Sequence, residues 1–300
     1  MMLGKNLTII GGSGGMGRVF SRYFKLHGFN VTINARNVKK LRKVAEDLGV
    51  NYELDLKKSV ENADIVMISI PIHSTPNMIE TITPFMKENS LLFDIASIKR
   101  ETYKALDIAH NKFQINCLSL HPMFGPGIAN FKNYTLIVLR VGGTKYYNEI
   151  LEKFLDLFKS DGLIITETTL EVHDKRIALT LGVPHMLNIL FLNLLKKTNE
   201  SLSELTRYTG TTFLLQKVFA ESIIQREMEM FGEIQIENQE FYTILNQFEN
   251  LIKEYKNIIK TKNLTEFSKI FSQGLEYSKE DIHFENSYKY FYKFMKILKK

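Results

Sequence analysis

Cysteine is almost absent from this 300-residue chain, in which Cys117 is the single example. One cysteine can form neither an intramolecular disulfide nor a cysteine-cluster metal site, so the composition fits a reducing cytosol and we expect a cytoplasmic protein. Proline and glycine become scarce after the middle of the chain. Five of the six prolines precede residue 127, and 13 of the 17 glycines precede residue 163. The chain therefore changes character near its centre.

Long uninterrupted apolar runs are also lacking. The longest apolar stretch, residues 179–195, is interrupted by Pro184 and by polar residues such as His185. It is also shorter than the ~20 apolar residues of a membrane span. The chain enters its first apolar segment at Leu7 without the charged and apolar regions of a signal peptide. We therefore expect a soluble protein with no membrane partner.

The sequence has no large excess of positive or negative charge. Lys and Arg number 39 against 33 Asp and Glu, which gives a net charge of +6. This mild excess does not favour a nucleic-acid-binding protein and suits a protein that handles small anions. The histidines and the single cysteine do not have the spacing of metal ligands, so no metal site is predicted.

Short apolar runs alternate with helical stretches in the first half of the chain. Runs that are apolar throughout indicate strands buried on both faces of a parallel sheet. Their alternation with helices predicts a Rossmann-type, doubly wound, mostly parallel α/β domain over residues 1–166. The predicted strands are Leu7–Ile10, Val31–Asn34, Ile65–Ile70, Leu91–Ala96, Ile115–Leu120, Leu136–Val141 and Leu163–Thr166.

The second half of the chain has a different period. Apolar residues recur at intervals of three and four through 244–259 and again through 284–298, which is the pattern of one helix face. Residues 167–300 are therefore predicted to form an all-α dimerisation domain. Apolar stripes on a small helical domain are typical of pairing with a second copy, so we expect a homodimer; a monomeric bundle is the alternative.

A glycine-rich loop follows the first predicted strand. It matches G-x-G-x-x-G between a buried strand and an amphipathic helix. In that context the first glycine permits a tight turn, the second lets a pyrophosphate approach the backbone, and the third allows close helix–strand packing. The helix N-terminus attracts the phosphates. The loop predicts a dinucleotide site formed by Gly12, Ser13, Gly14, Gly15, Met16 and Gly17.

The end of the second strand bears on which dinucleotide is bound. An NAD site carries Asp or Glu about 20 residues after the glycine loop, where it holds the ribose hydroxyls. Here the strand ends in Asn34, and Arg36, Lys39 and Lys40 follow. Because Arg36 can pair with a 2′-phosphate, we predict that NADP is preferred over NAD and that Arg36 and Lys39 bind it. A solvated helix start is the alternative interpretation.

Polar residues follow three later strands at their carboxyl ends, where open α/β sheets bind ligands. Pro71 follows one strand and is predicted to line the nicotinamide side. The next strand delivers Ser97 and Lys99, and the strand after it delivers His121, held by Pro122. A neutral imidazole can accept a hydroxyl proton while hydride leaves for the cofactor. His121 is therefore predicted to be the catalytic base.

These motifs together resemble the prephenate dehydrogenases of tyrosine biosynthesis. The resemblance rests on the glycine loop, on Ser97-Ile98-Lys99, on 120–125 (Leu-His-Pro-Met-Phe-Gly), on His173-Asp174 and on 181–185 (Leu-Gly-Val-Pro-His). It implies oxidative decarboxylation of prephenate, a small-molecule substrate, to 4-hydroxyphenylpyruvate. It also implies that His121 accepts the proton of the ring hydroxyl and that Ser97 hydrogen-bonds both the hydroxyl and the histidine.

The resemblance places further substrate contacts in the second half of the chain. It implies that His185 faces the substrate, although Leu181 and Gly182 replace the serine and first histidine of that family motif. A dicarboxylate needs a cationic partner, and arginine is the natural bidentate one. We favour Arg207 over the other arginines of this half, with a surface salt bridge as the alternative. Lys99 is also predicted to bind substrate.

Three other functions stay open at this point. Arogenate dehydrogenase differs from the first interpretation by an amine in place of a side-chain keto group. A β-hydroxyacid-type dehydrogenase usually has Lys and Asn four residues apart on the first helix after the nucleotide domain, whereas Lys175 is followed at that spacing by Leu179. A non-catalytic NADP sensor is the alternative from a different class.

Overall fold

A computed structural model describes residues 4–298 of the chain, which divides into two compact units, 1–177 and 178–300. The first unit contains one eight-stranded sheet. All seven strands predicted from apolar runs are present within a few residues of their predicted ends, and the two-residue β3 is the strand that the pattern missed. The strands are β1 (Asn6–Ile10), β2 (Asn30–Asn34), β3 (Asn51–Tyr52), β4 (Ile65–Ile68), β5 (Leu91–Asp94), β6 (Asn116–Pro122), β7 (Thr135–Gly142) and β8 (Ile164–Glu167).

The strand order in this sheet is β3-β2-β1-β4-β5-β6-β7-β8. The strands from β1 to β6 are parallel, β7 is antiparallel to β6, and β8 is parallel to β7. The order reverses between β1 and β4, so their carboxyl ends form the switch-point crevice in which sheets of this type bind ligands. The predicted doubly wound, mostly parallel sheet is confirmed.

The α-helices of the first unit are α1 (Gly15–Leu26), α2 (Val38–Leu48), α3 (Leu56–Glu61), α4 (Thr75–Ile82), α5 (Arg100–Phe113) and α6 (Tyr147–Ser160), which connect the strands, and α7 (Leu170–Ile177), which follows β8. A cluster of buried phenylalanines fixes α1 against the sheet. Phe24 of α1 stacks on Phe154 of α6 with 6.0 Å between ring centroids, and Phe154 lies 5.1 Å from Phe93 of β5. Such pairs add stability beyond the area they bury, so this cluster holds the start of α1 in place.

The compact units divide after Ile177, eleven residues beyond the predicted boundary at 166. Helix α7 belongs to the first unit, and a polar contact attaches it there. The backbone N–H of Lys99 donates a hydrogen bond of 3.2 Å to Oδ1 of Asp174, which lies in α7. A boundary placed from the change in hydrophobic period could not register this contact between distant parts of the sequence.

The second unit is helical in the part that the structure describes, as the 3.6-residue period predicts. Its α-helices are α8 (Val183–Lys197), α9 (Leu202–Arg207), α10 (Thr211–Ile224), α11 (Met228–Ile236), α12 (Gln239–Thr261), α13 (Leu264–Ser278) and α14 (Ser287–Leu298). Its buried cluster is small and consists of Ala178, Met186 and Phe241 with three partly buried neighbours. Most apolar side chains of α12 and α13 are exposed.

A π-helical segment, Ala178–Gly182, joins α7 to α8 in one helical run, 170–197. This run of 28 residues is long and apolar enough to cross a membrane by length and composition, although the stretch 179–195 was expected to be too short and too polar. One such helix is weak evidence for a membrane span, because apolar helices of soluble proteins pass the same test.

Candidate active site

A cavity of about 610 Å³ lies at the carboxyl ends of β1, β2 and β4. It brings together four residues that the sequence predicted for the cofactor: Ser13, Gly14, Arg36 and Pro71. Its wall also contains His73, Asn77 and Thr81 from the segment after β4, which sequence reasoning missed. Asn77 and Thr81 are four residues apart in α4, which places them on one helix face, and His73 lies in the short 3₁₀ turn that precedes this helix.

The glycine loop is shaped to let a ligand approach its backbone. Gly11 has φ of +84°, and a Cβ there would lie 2.0 Å from the carbonyl oxygen of Ser69, so the residue before the motif is the one that requires glycine most strictly. Gly12 and Gly17 serve packing instead, since a Cβ at Gly17 would lie 2.5 Å from the Gly11 oxygen. At Gly14 the nearest atom would be 3.2 Å away.

The remaining loop residues begin helix α1, which starts at Gly15. The first N–H groups of a helix have no partner within it and carry the positive end of the helix dipole, so they suit phosphate oxygens. Gly15 and Met16 are not among the residues that line the cavity, and their predicted role is limited to these backbone groups. The position of Gly14 in the cavity wall and the start of the helix together fit a dinucleotide.

The far end of the cavity is cationic. Arg36 and Lys40 line it together with Asn37, and no Asp or Glu is among the lining residues. Lys40 lines the cavity and Lys39 does not, so the role predicted for Lys39 in cofactor binding stays a prediction. Asn37 caps α2 by accepting a 3.0 Å hydrogen bond from the Lys40 backbone, and consecutive helical residues point about 100° apart, so the cavity wall includes Lys40 and not Lys39.

His121 lies at the end of β6, buried, beside a second buried histidine. Its Nδ1 is 3.0 Å from Nε2 of His173, and Nδ1 of His173 is 2.7 Å from Oδ1 of Asp174. Burial lowers the pKa of His121 well below its usual value, and the neighbouring His173 and Lys99 lower it further. Burial also lowers the pKa of His173, against the opposing effect of Asp174. Both imidazoles are therefore neutral at neutral pH.

Lys99 does not fit its predicted role as a substrate contact. Its side chain is 0% exposed, and its Nζ donates to Oδ2 of Asp94 at 2.7 Å and to the carbonyl oxygen of Leu120 at 2.6 Å. Asp94 also accepts from the Ser119 hydroxyl at 2.5 Å and from the Ala96 backbone at 2.7 Å. A substrate cannot reach an ammonium that is enclosed in this way. Lys99 instead stabilises the strand ends that carry the site, through Asp94 and the Leu120 carbonyl.

Ser97 lies half-buried in the loop between β5 and α5. The family resemblance implied a hydrogen bond from Ser97 to the catalytic histidine. In the structure, Nδ1 of His121 is hydrogen-bonded to His173 instead. A catalytic role for Ser97 through the substrate hydroxyl stays a prediction.

The second unit contains the other two predicted substrate residues. His185 lies in α8 with its ring edge-on to Phe231 at 4.7 Å, and burial lowers its pKa. Its Nδ1 is buried and has no hydrogen-bond partner among the described residues. Arg207 ends α9 with its side chain 75% exposed and 3.1 Å from Glu204. Exposed ion pairs of this kind are weak, so the carboxylate of a ligand can replace Glu204 as the partner of this guanidinium.

Comparison with protein families places both units. Residues 20–138 match the model described as prephenate dehydrogenase, nucleotide-binding domain, and residues 169–273 match prephenate dehydrogenase, dimerization domain. The chain belongs to the prephenate dehydrogenase family.

A member of the same group in Methanocaldococcus jannaschii, named probable arogenate/prephenate dehydrogenase, is 30% identical over 279 residues. That match covers 92% of this chain and 62% of the relative. The chain spans about 60% of the length of this curated relative and of two others that it matches.

Solved structures show that the fold is shared across this family. Prephenate dehydrogenase from Aquifex aeolicus, in complex with hydroxyphenyl propionate and NAD⁺, has a TM-score of 0.76 at 18% identity, covering 93% of this chain and 99% of that one. Arogenate dehydrogenase from Synechocystis has a TM-score of 0.68 at 16% identity, covering 92% and 99%. At these identities the likeness concerns the fold.

The buried ion pair of this prephenate dehydrogenase family member gives a stability prediction. Replacing Lys99 with Met leaves Asp94 charged and unpaired in the core, which we expect to lower the free energy of unfolding by about 3–5 kcal/mol. Urea denaturation measures the change. The matched control is Lys104→Met, which removes the exposed pair with Glu101 and should cost less than about 1 kcal/mol. Equal losses for the two variants would contradict this account.

Proposed function

We propose that this protein oxidatively decarboxylates prephenate to 4-hydroxyphenylpyruvate, in the cytoplasm, with NADP preferred over NAD. The observation that carries the proposal is the buried, neutral His121 at the carboxyl edge of the same sheet that bounds the dinucleotide cavity. Membership of the prephenate dehydrogenase family supports the reaction class. The M. jannaschii relative's name covers both prephenate and arogenate, so arogenate is the second candidate substrate.

In the proposed reaction His121 is the one general base. It takes the proton of the ring hydroxyl at a nitrogen that burial keeps unprotonated, and neutral imidazole is suited to this step. The nicotinamide cofactor, when bound, accepts the hydride from the carbon that carries the hydroxyl. The ring carboxylate leaves as CO₂, its bonding electrons remain in the ring, and the ring becomes aromatic. Aromatisation drives the reaction, so precise positioning is the main further demand on the protein.

The substrate carries two carboxylates, and we propose Arg207 as the cationic partner of one of them. Its guanidinium is exposed and only weakly engaged by Glu204, and arginine binds carboxylates in a bidentate way. We propose His185 as a further substrate contact because its Nδ1 is buried without a partner in the described part of the chain. Such a group costs free energy until a ligand satisfies it.

The first experiment offers the purified protein both substrates with both cofactors and records reduced nicotinamide. We expect turnover of prephenate, and we expect His121→Asn to lower kcat by about 100-fold or more because the base is lost. Cofactor affinity, measured by fluorescence titration, should be unchanged.

The matched control is His110→Asn, which alters a half-buried histidine of α5 that bonds the Ile115 carbonyl away from this site. It should keep the activity. Absence of turnover with every substrate and cofactor pair would overturn the enzyme proposal and favour the NADP-sensor alternative. Turnover of arogenate alone would replace the substrate but keep the mechanism.

Cofactor preference follows from the cationic end of the cavity. Arg36→Ala removes a charge-assisted contact to the 2′-phosphate that is worth about 1.5–3 kcal/mol, so we expect KM for NADP to rise at least about 10-fold and KM for NAD to change little. Arg42→Ala is the control, because Arg42 lies over the Tyr52 ring outside the cavity wall. If KM of the wild-type protein is more than tenfold lower for NAD than for NADP, the proposed preference for NADP is wrong.

We propose that two copies pair through the second unit. Leu245, Ile252 and Ile259 of α12 are exposed by 38%, 49% and 57% and recur every seven residues along one face, the pattern of a helix that packs against a partner. The family model for this region is a dimerization domain.

Light scattering should therefore give the mass of a dimer. The double variant Ile252→Glu/Ile259→Glu should dissociate it, because charges would be buried in an apolar interface. The control Leu26→Glu changes an apolar residue of the first unit that is 79% exposed, and it should leave the mass unchanged. A monomeric wild type, or a double variant as dimeric as the control, would refute this surface.

A further inference from the structure

We infer that His173 and Asp174 hold His121 in the tautomer whose Nε2 is unprotonated, and that they receive the positive charge when His121 takes a proton. The inference rests on the proposed function of His121 as the base. His173 and Asp174 act through His121, so they are positioning residues. Both residues belong to a motif that resembles the prephenate dehydrogenases, and the resemblance implied no role for them.

The direction of each hydrogen bond follows from what the groups can donate. The Asp174 carboxylate only accepts, and its Oδ1 also receives the Lys99 backbone N–H at 3.2 Å. The His173 Nδ1, 2.7 Å away, must therefore carry the proton of that contact. A neutral imidazole has one N–H and one acceptor nitrogen, so Nε2 of His173 is an acceptor. At 3.0 Å from it, Nδ1 of His121 is the donor.

This order of donors decides which nitrogen of His121 is chemically active. Because the single proton of neutral His121 is on Nδ1, its Nε2 has a free lone pair. Were the His173–Asp174 pair absent, the proton of His121 could reside on either nitrogen, and a fraction of the protein would present an N–H to the substrate hydroxyl. A base with its proton on the wrong nitrogen cannot accept another.

The charges around the two rings also differ. His121 is buried and faces the ammonium of Lys99, which disfavours a second positive charge there. His173 also feels Lys99, but it contacts the carboxylate of Asp174 and feels that of Asp94, which favour the charge. A protonated imidazole in this interior is therefore more stable at His173, where it forms a pair with Asp174.

Two proton transfers move the positive charge from His121 to His173. The substrate O–H bond breaks as His121 Nε2 gains the proton, and the Nδ1–H bond of His121 breaks as His173 Nε2 gains its proton. His121 ends neutral with its hydrogen on Nε2, and His173 ends as an imidazolium that donates to Asp174. After decarboxylation the same two transfers in reverse return the proton to the phenolate oxygen of the aromatic product, which becomes 4-hydroxyphenylpyruvate, and the site regains its starting state.

The tautomer can be measured without substrate or cofactor. In protein labelled with ¹⁵N-histidine, NMR at neutral pH should show a protonated Nδ1 and an unprotonated Nε2 for His121. On acidification His173 should gain its second N–H before His121 does. A protonated Nε2 on His121 in the wild type, or earlier protonation of His121, would overturn the inference.

Kinetics test the same arrangement in the working enzyme. Asp174→Asn keeps an oxygen acceptor but removes the charge, so we expect kcat to fall by roughly 10–100-fold with KM for substrate little changed. The acidic limb of the kcat/KM profile should move to lower pH, because loss of a carboxylate lowers the pKa of the histidine pair. A variant with unaltered kcat and an unmoved limb would refute the inference.

Two comparisons separate positioning from a merely structural role. His173→Phe removes the acceptor and should lower kcat by about 100-fold or more, whereas His173→Gln can accept through its amide oxygen and should recover part of that loss. Equal loss in both variants would contradict the inference. The control Asp161→Asn makes the same change in a second histidine–carboxylate pair, His27–Asp161, which has the same 2.7 Å separation. It should leave kcat unchanged.

Failure of this inference can be told apart from failure of the proposed function. Protein that turns over neither prephenate nor arogenate but has His121 in the Nδ1–H form refutes the function and retains the tautomer. Active protein with His121 in the Nε2–H form refutes the tautomer and retains the function.

Discussion

A lysine ammonium with no exposure to water connects the elements of this site. Lys99 reaches Asp94 of β5 and the Leu120 carbonyl of β6 through its side chain, and Asp174 of α7 through its backbone. Buried charges are tolerated only when they are paired and hydrogen-bonded, so these contacts must form together. The position of His121, one residue after Leu120, depends on this ammonium, and that of the His173–Asp174 pair depends on the backbone N–H of the same lysine.

Local patterns were sufficient to predict the framework of the first unit. Apolar runs located seven strands because a strand that is buried on both faces is apolar at nearly every position and is easily recognised in the sequence. The two-residue β3 was missed because Asn51 and Tyr52 are both exposed. The glycine loop was found for a similar local reason, although the positive φ belongs to Gly11, which precedes the motif. That residue is constrained by the Ser69 carbonyl, a contact across the sheet that its own neighbours do not reveal.

The site itself was only partly predictable. His121 could be found because strand ends of an open sheet are where ligands bind. Lys99 was misassigned because a lysine near a strand end is usually exposed, and its burial depends on Asp94 and on a strand reached twenty residues later. The link from His121 to His173 joins residues 52 positions apart, and no spacing rule predicts such a contact. Lys40, and not Lys39, lines the cavity because consecutive residues of α2 point about 100° apart.

The second unit illustrates a different relation between chain and fold. Its buried cluster is small, and many large apolar side chains of α12 and α13 face solvent. Apolar surface of this extent stabilises a fold only after something covers it. When two copies supply that cover for each other, the stability of the unit belongs to the pair, and it varies with protein concentration. Dilution then acts on this half of the molecule in the same direction as heat or denaturant.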